Sequence, residues 1–141
     1  MQQSKTIKIF LASSITELKE ERKNISDYIM SSIKPLFEND GVDIRLFKCE
    51  DNHSGNLGKP TQDEIDKRLQ ESDVSIFMFK KKAGEKIIQE FNIARELQKK
   101  DRHEIYVYCF DTPERSKSKE LKVFQQLLEN EGLYWKTCID V

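Results

Sequence analysis

Cysteine is scarce in this chain, and long apolar runs are missing. The three cysteines, Cys49, Cys109 and Cys138, stand far apart, are odd in number and form no C-x-x-C pair. That pattern supports neither a disulfide framework nor a zinc site, and the expected compartment is a reducing cytoplasm. No stretch approaches the roughly 18 apolar residues of a membrane span. The N-terminal "MQQSKTIKIFLASS" reads as a strand rather than a signal peptide. Charge of one sign is lacking too: 24 Lys and Arg face 25 Asp and Glu, a formal net charge of -1. Composition therefore gives no electrostatic argument for a nucleic-acid partner. The lysines at Lys80-Lys81-Lys82 and between Lys117 and Lys122 read as solvated faces. His53 and His103 have no partner at metal spacing and read as loop surface, so no metal is expected.

Phosphate-loop chemistry is also missing. The stretch "DNHSGNLGKPTQDEI", Asp51 to Ile65, holds two glycines, a lysine and a threonine. A P-loop needs G-x-x-x-x-G-K-[ST]. Here His53 stands at the first glycine position, and Pro60 stands where the hydroxyl belongs. Proline also lacks the N–H that would face a phosphate. The spacing instead predicts a mobile loop that ends at a capped helix, with Thr61 and Glu64 as a capping box. No G-x-G-x-x-G follows the first strand, no acidic residues stand there as a phosphoacceptor needs, and no G-x-S-x-G elbow occurs.

What is present is alternation. The 141 residues suit one domain, with 37% hydrophobic and 35% charged residues. Strand patterns are predicted at Thr6–Ala12, Val42–Lys48, Val74–Phe79, Glu104–Phe110 and Leu133–Ile139. Helical patterns are predicted from Ile15 to about Asn39, Gln62 to Glu71, Lys86 to Lys99 and Lys119 to Asn130. This β-α order implies an α/β fold of three layers, a five-stranded parallel sheet with helices on both faces. Right-handed crossovers and the flavodoxin-like order 2-1-3-4-5 are expected.

In such sheets ligands bind beyond the C-terminal strand ends, near the point where strand order reverses. That edge gathers Ala12, Ser13 and Ser14 after the first strand, and Cys49, Glu50 and Asp51 after the second. These six are the candidate ligand-binding residues. The helix after the third strand carries Glu90. In "GEKIIQEFNIARELQ", Glu90 lies on or beside the inward stripe of Ile87, Phe91, Ala94 and Leu97. A buried carboxylate is costly without a partner or a task. Glu90 is therefore either a structural ion-pair member, with Arg95, Arg22 or a loop lysine, or a catalytic anion that meets a developing positive charge. Ser13 and Ser14 have two readings as well. One or the other caps the first helix, with Glu17 completing a box, or donates to a ligand. Tyr134 and Trp135 read as core.

The segments "IKIFLASSITELKEERKNI", "QDEIDKRLQESDVSIFMF" and "GEKIIQEFNIA" resemble the N-terminal TIR-like domains of bacterial multidomain effector proteins. Those are related to Toll/interleukin-1 receptor (TIR) domains and, more distantly, to nucleoside 2-deoxyribosyltransferases. The resemblance runs from about Thr6 to Ile139. It implies a TIR-like domain over residues 1–141, the N-terminal part of a longer protein, and a flexible loop at Asp51–Pro60. It implies cleavage of the nicotinamide–ribose bond of NAD, by hydrolysis or cyclisation, in bacterial defence. NAD would be the substrate, no cofactor would be needed, and Glu90 would be the catalytic residue. Homo-oligomers would form through the 51–60 loop. Two departures bear on the ligand: Cys49 stands where the family often has tryptophan, and Ile87 where it often has threonine. The alternatives are a non-catalytic TIR-type interaction module and a deoxyribosyltransferase-like enzyme. The absence of a helix after the last strand pattern also predicts continuation beyond Val141.

Overall fold

The computed structural model describes residues 5–13, 17–48, 62–100, 102–110, 113–133 and 135–138. Strand β1, Lys5–Ala12, is followed by helix α1, Lys19–Tyr28. A π-helical turn, Ile29–Ile33, joins α1 to α2, Lys34–Glu38. Then come β2, Val42–Lys48; α3, Gln62–Gln70; β3, Val74–Phe79; and α4, Glu85–Lys99. Strand β4, Glu104–Phe110, a 3-10 turn at Glu114–Ser116, α5, Lys119–Asn130, and β5, Lys136–Cys138, complete the order.

The strands are parallel, and β2-β1-β3-β4 form the body of the sheet. The three-residue β5 pairs beside β4, with Tyr108 opposite Lys136. The fold is flavodoxin-like in general form, with β1 inside the sheet, flanked by β2 and β3. The last strand is shorter than the pattern Leu133–Ile139 predicts. Leu133 instead closes the end of α5, where its N–H bonds to the Leu128 carbonyl at 2.8 Å and Gly132 adopts φ 73°. A left-handed residue at that place costs glycine little and finishes the helix.

The long first helix expected over Ile15–Asn39 is also remodelled. It begins only at Lys19 and widens at Ile29–Ile33. Pro35 supplies the reason, since its missing N–H cannot bond to the carbonyl four residues back. A π turn just before it absorbs that fault. At the other end of the chain, Ser118 caps α5 by accepting from the Leu121 N–H at 3.1 Å.

Side-chain alternation along the strands builds two cores. On one face Phe10, Phe77, Phe79, Val107 and Cys109 meet α3, α4 and α5 through Ile65, Leu69, Phe91, Ala94, Leu121 and Phe124. Phe91 stands edge-on to both Phe77 and Phe124, with ring centroids 5.4 and 4.9 Å apart. Trp135 packs against this core, as the sequence pattern predicts. On the other face Leu11 and Met78 meet Leu18 and Ile25. That layer is thinner among the described residues, and Tyr106 on β4 remains 47% exposed. Phe91 and Ala94 pin the inward side of α4 and so fix where its neighbour Glu90 can point. No helix among the described residues is long and apolar enough to cross a membrane.

Candidate active site at the C-terminal strand edge

Glu90 lies in the second turn of α4 and is 7% exposed. Its burial follows from the helical period: it stands beside the stripe that places Phe91 and Ala94 in the core. The dipole of α4 favours an ionised carboxylate, but that effect fades beyond the first turn. Burial wins. It pushes the Glu90 pKa up, Asp66 pushes the same way, and a hydrogen bond from Gln62 with the charges of Arg22 and Lys86 pull it down. Among the described residues the carboxylate is held on one side only. Gln62 Nε2 donates to Glu90 Oε2 at 3.2 Å and to Asp66 Oδ1 at 2.8 Å.

Arg95, one of the ion-pair partners expected for Glu90, turns elsewhere and donates to Gln98 Oε1 at 2.6 Å. Arg22 comes closer to the expected role. It projects inward from α1, is 1% exposed, and donates from Nη1 to Ser13 Oγ at 2.7 Å and to the Ser13 carbonyl at 3.4 Å. Ser13, the residue after β1, is thereby committed to a guanidinium rather than to a helix cap. The residue at the start of α1 is Leu18, which offers no side-chain cap. Glu17, expected to complete a capping box, reaches across to the loop after β3. Its Oε1 accepts from the backbone N–H of Lys81 at 2.5 Å and of Lys82 at 3.4 Å, tying the turn before α1 to the loop after β3.

The predicted site residues therefore divide. Ser13 and Glu90 are brought to one buried polar cluster that Arg22 links through charge. Ala12 is 3% exposed and gives its methyl to the core, so its side chain is not available to a ligand. Ser14, Cys49, Glu50 and Asp51 lie outside the described residues, as do Thr61 of the expected capping box, Tyr134 and the loop Asp51–Pro60. Ile87 packs against the core at the base of α4. Three members of the cluster do not stand out in the sequence: Arg22 as a site residue, Gln62 and Asp66. The signal for Arg22 was its place in the stripe Leu18, Arg22, Ser26 and Ile29, all buried. The signal for the other two was their i, i+4 spacing, which puts an amide and a carboxylate on one side of α3.

Among the described residues no group of acidic, histidine or cysteine side chains could hold a metal ion. A cavity of about 280 Å³ between the β1–β2 edge and α3 is lined by Lys8, Arg45, Phe47 and Arg68 and does not include Glu90. The chemistry argues for the Glu90 cluster over this cavity. The cavity is lined by exposed charged side chains, whereas the cluster holds a desolvated carboxyl group at the edge where such sheets bind ligands.

No protein-family model matches the chain, and no curated protein sequence matches it. Among solved structures, the chain is similar to the CMP N-glycosidase BcmB of Clostridium botulinum, with 16% identity and a TM-score of 0.50. The match covers 94% of this chain and 88% of that one. At that identity the likeness is one of fold, and it spans nearly the whole α/β sheet described above.

Proposed function

We propose that this chain cleaves an N-glycosidic bond between a base and a sugar in a nucleotide or nucleoside, with Glu90 as the catalytic carboxylate. The observation that carries the reading is the buried Glu90, with its pKa pushed up by desolvation and only one oxygen engaged by Gln62. When the C1′–N bond breaks, the base leaves with the electron pair and the sugar becomes oxocarbenium-like. An ionised carboxylate in a site of low polarity stabilises that cation far more than one in water does, or captures it as an ester. Water then supplies the hydroxyl at C1′. Gln62 and Arg22 favour the ionised form of Glu90, while burial keeps it poorly solvated and reactive.

The fold neighbour's name brings cytidine monophosphate as one substrate class. The TIR resemblance brings NAD as another, and the deoxyribosyltransferase resemblance brings deoxynucleosides. A pyridinium leaving group needs no added proton, whereas cytosine does. The two substrates therefore call for different partners beside the same carboxylate.

The test is a panel. CMP, NAD and deoxynucleosides are incubated with the protein, alone and in a forced oligomer, and free base is measured by chromatography. Release from one member, lost in Glu90→Gln, supports the reading and names the substrate. Release that persists in Glu90→Gln overturns the catalytic assignment. No release by a verified oligomer leaves the non-catalytic interaction module as the better account.

A further inference from the structure

Resting on that reading, we propose that Gln62 is the positioning residue for Glu90, and that Asp66 locks the Gln62 amide so that its N–H, not its carbonyl, faces the carboxylate. The amide NH₂ carries two protons. Both are spent on carboxylates: one on Asp66 Oδ1 at 2.8 Å, the other on Glu90 Oε2 at 3.2 Å. A flipped amide would turn its carbonyl oxygen toward two acceptors at once. Asp66 sits one helical turn beyond Gln62 on α3, so the lock is built into a single helix. The second oxygen of Glu90, Oε1, has no hydrogen-bond partner among the described residues. The clamp thus grips one oxygen and leaves the other for the reacting sugar.

The lock has a chemical consequence. A neutral Glu90 would prefer to donate its proton to an amide carbonyl. With Asp66 holding the N–H outward, the amide bonds an ionised Glu90 more strongly than a neutral one, whose carbonyl oxygen is the weaker acceptor. Asp66 therefore acts in two opposed ways. Its charge repels the Glu90 charge, and its grip on Gln62 supports it. The other charged groups that bear on Glu90 are Arg22 from α1 and Lys86 on its own helix, both of which favour the ionised form.

The experiment follows the Glu90 carboxyl carbon by NMR in full-length protein with ¹³C-labelled glutamate, the signal being assigned by its loss in Glu90→Gln. Gln62→Met keeps length and helix propensity but removes the donor, and should raise the titration midpoint of Glu90. Asp66→Asn removes the repulsion and one acceptor, and should lower that midpoint. Base release at neutral pH should fall about tenfold in Gln62→Met, the order of one charge-assisted hydrogen bond. The lost activity should return as pH rises, which a merely structural defect would not produce. If Gln62→Met unfolds, Gln62→Leu supplies the same reading. An unmoved midpoint in a folded Gln62 variant overturns the proposal. Moved midpoints with no base released by any form would uphold the clamp and defeat the N-glycosidase reading instead.

Discussion

At the N-terminal edge of the sheet, His103 is gripped by Ser72 and Ser75; at the C-terminal edge, Glu90 is gripped, among the described residues, by Gln62 alone. Both side chains are almost fully buried, at 6% and 7% exposed. The His103 Nδ1–H donates to the Ser72 carbonyl at 3.0 Å, which leaves Nε2 to accept from the Ser75 hydroxyl. Both ring nitrogens are thus satisfied, and the ring has no atom to spare for a ligand. Glu90 keeps one oxygen without a hydrogen-bond partner among the described residues, sits among opposite and like charges, and lies where such sheets bind ligands. A completed buried network fixes a fold. An incomplete one, at a ligand edge, is the more plausible place for chemistry.

The largest expected effect separates the two edges directly. Glu90→Gln should lower base release by about 10²-fold or more, the scale of losing a principal electrostatic stabiliser. Folding should survive and even improve. Because burial raises the folded pKa of Glu90 above its unfolded value, the folded state binds the proton more tightly. Stability is then lost as pH rises from the unfolded carboxylate value through the raised folded one. Glu90→Gln removes that loss, so its Tm at neutral pH should exceed that of the wild type. A lower Tm, measured by calorimetry at pH 7, would make Glu90 a structural residue like His103.

The opposite pattern is expected at the other edge. His103→Phe leaves the Ser75 hydroxyl buried without its acceptor and the Ser72 carbonyl without its donor. It should cost about 2 kcal/mol, the order of leaving a buried polar group unpaired. It should not alter base release. Burial holds the His103 pKa below the ordinary histidine value. The unfolded chain therefore takes up the proton first, and stability is lost as pH falls below about 6.5 toward the folded value. In His103→Phe that acid-side slope should flatten. An unchanged slope, followed by urea melts between pH 5 and 7, would show that the ring is not held neutral.

These contrasts explain what the sequence disclosed. The β2, β3 and β4 boundaries follow from apolar runs of strand length, and the structure returns Val42–Lys48, Val74–Phe79 and Glu104–Phe110 unchanged. Burial of Glu90 was legible because it depends on helical period alone. His103 reads as loop surface in the sequence, and the structure buries it. It lies one residue before β4, and only the parallel pairing of β3 with β4 brings Ser75 within its reach. Ser13 was half legible: its place after β1 was plain, but its partner Arg22 arrives from a helix whose start had shifted to Lys19. The role of Gln62 and Asp66 is hidden in the sequence for a similar reason. Their spacing is local, but the carboxylate that gives it meaning is on another helix.

The smallest effect concerns the strap that joins the two sides of the C-terminal edge. Glu17 Oε1 accepts two successive backbone N–H groups, from Lys81 and Lys82, where the loop leaves β3 for α4. The tie holds the turn before α1 against the base of the helix that carries Glu90. It is partly solvated, so Glu17→Ala should cost only about 1 kcal/mol, the middle of the range for a single hydrogen bond. The clearer sign is local. Amide exchange at Lys81 and Lys82 should accelerate, while the amides of β4 around Val107 should keep their protection, since their bonds belong to the sheet. Equal acceleration at Val107 would mean that the strap supports the whole fold rather than one edge. The two edges would then share a single cooperative unit.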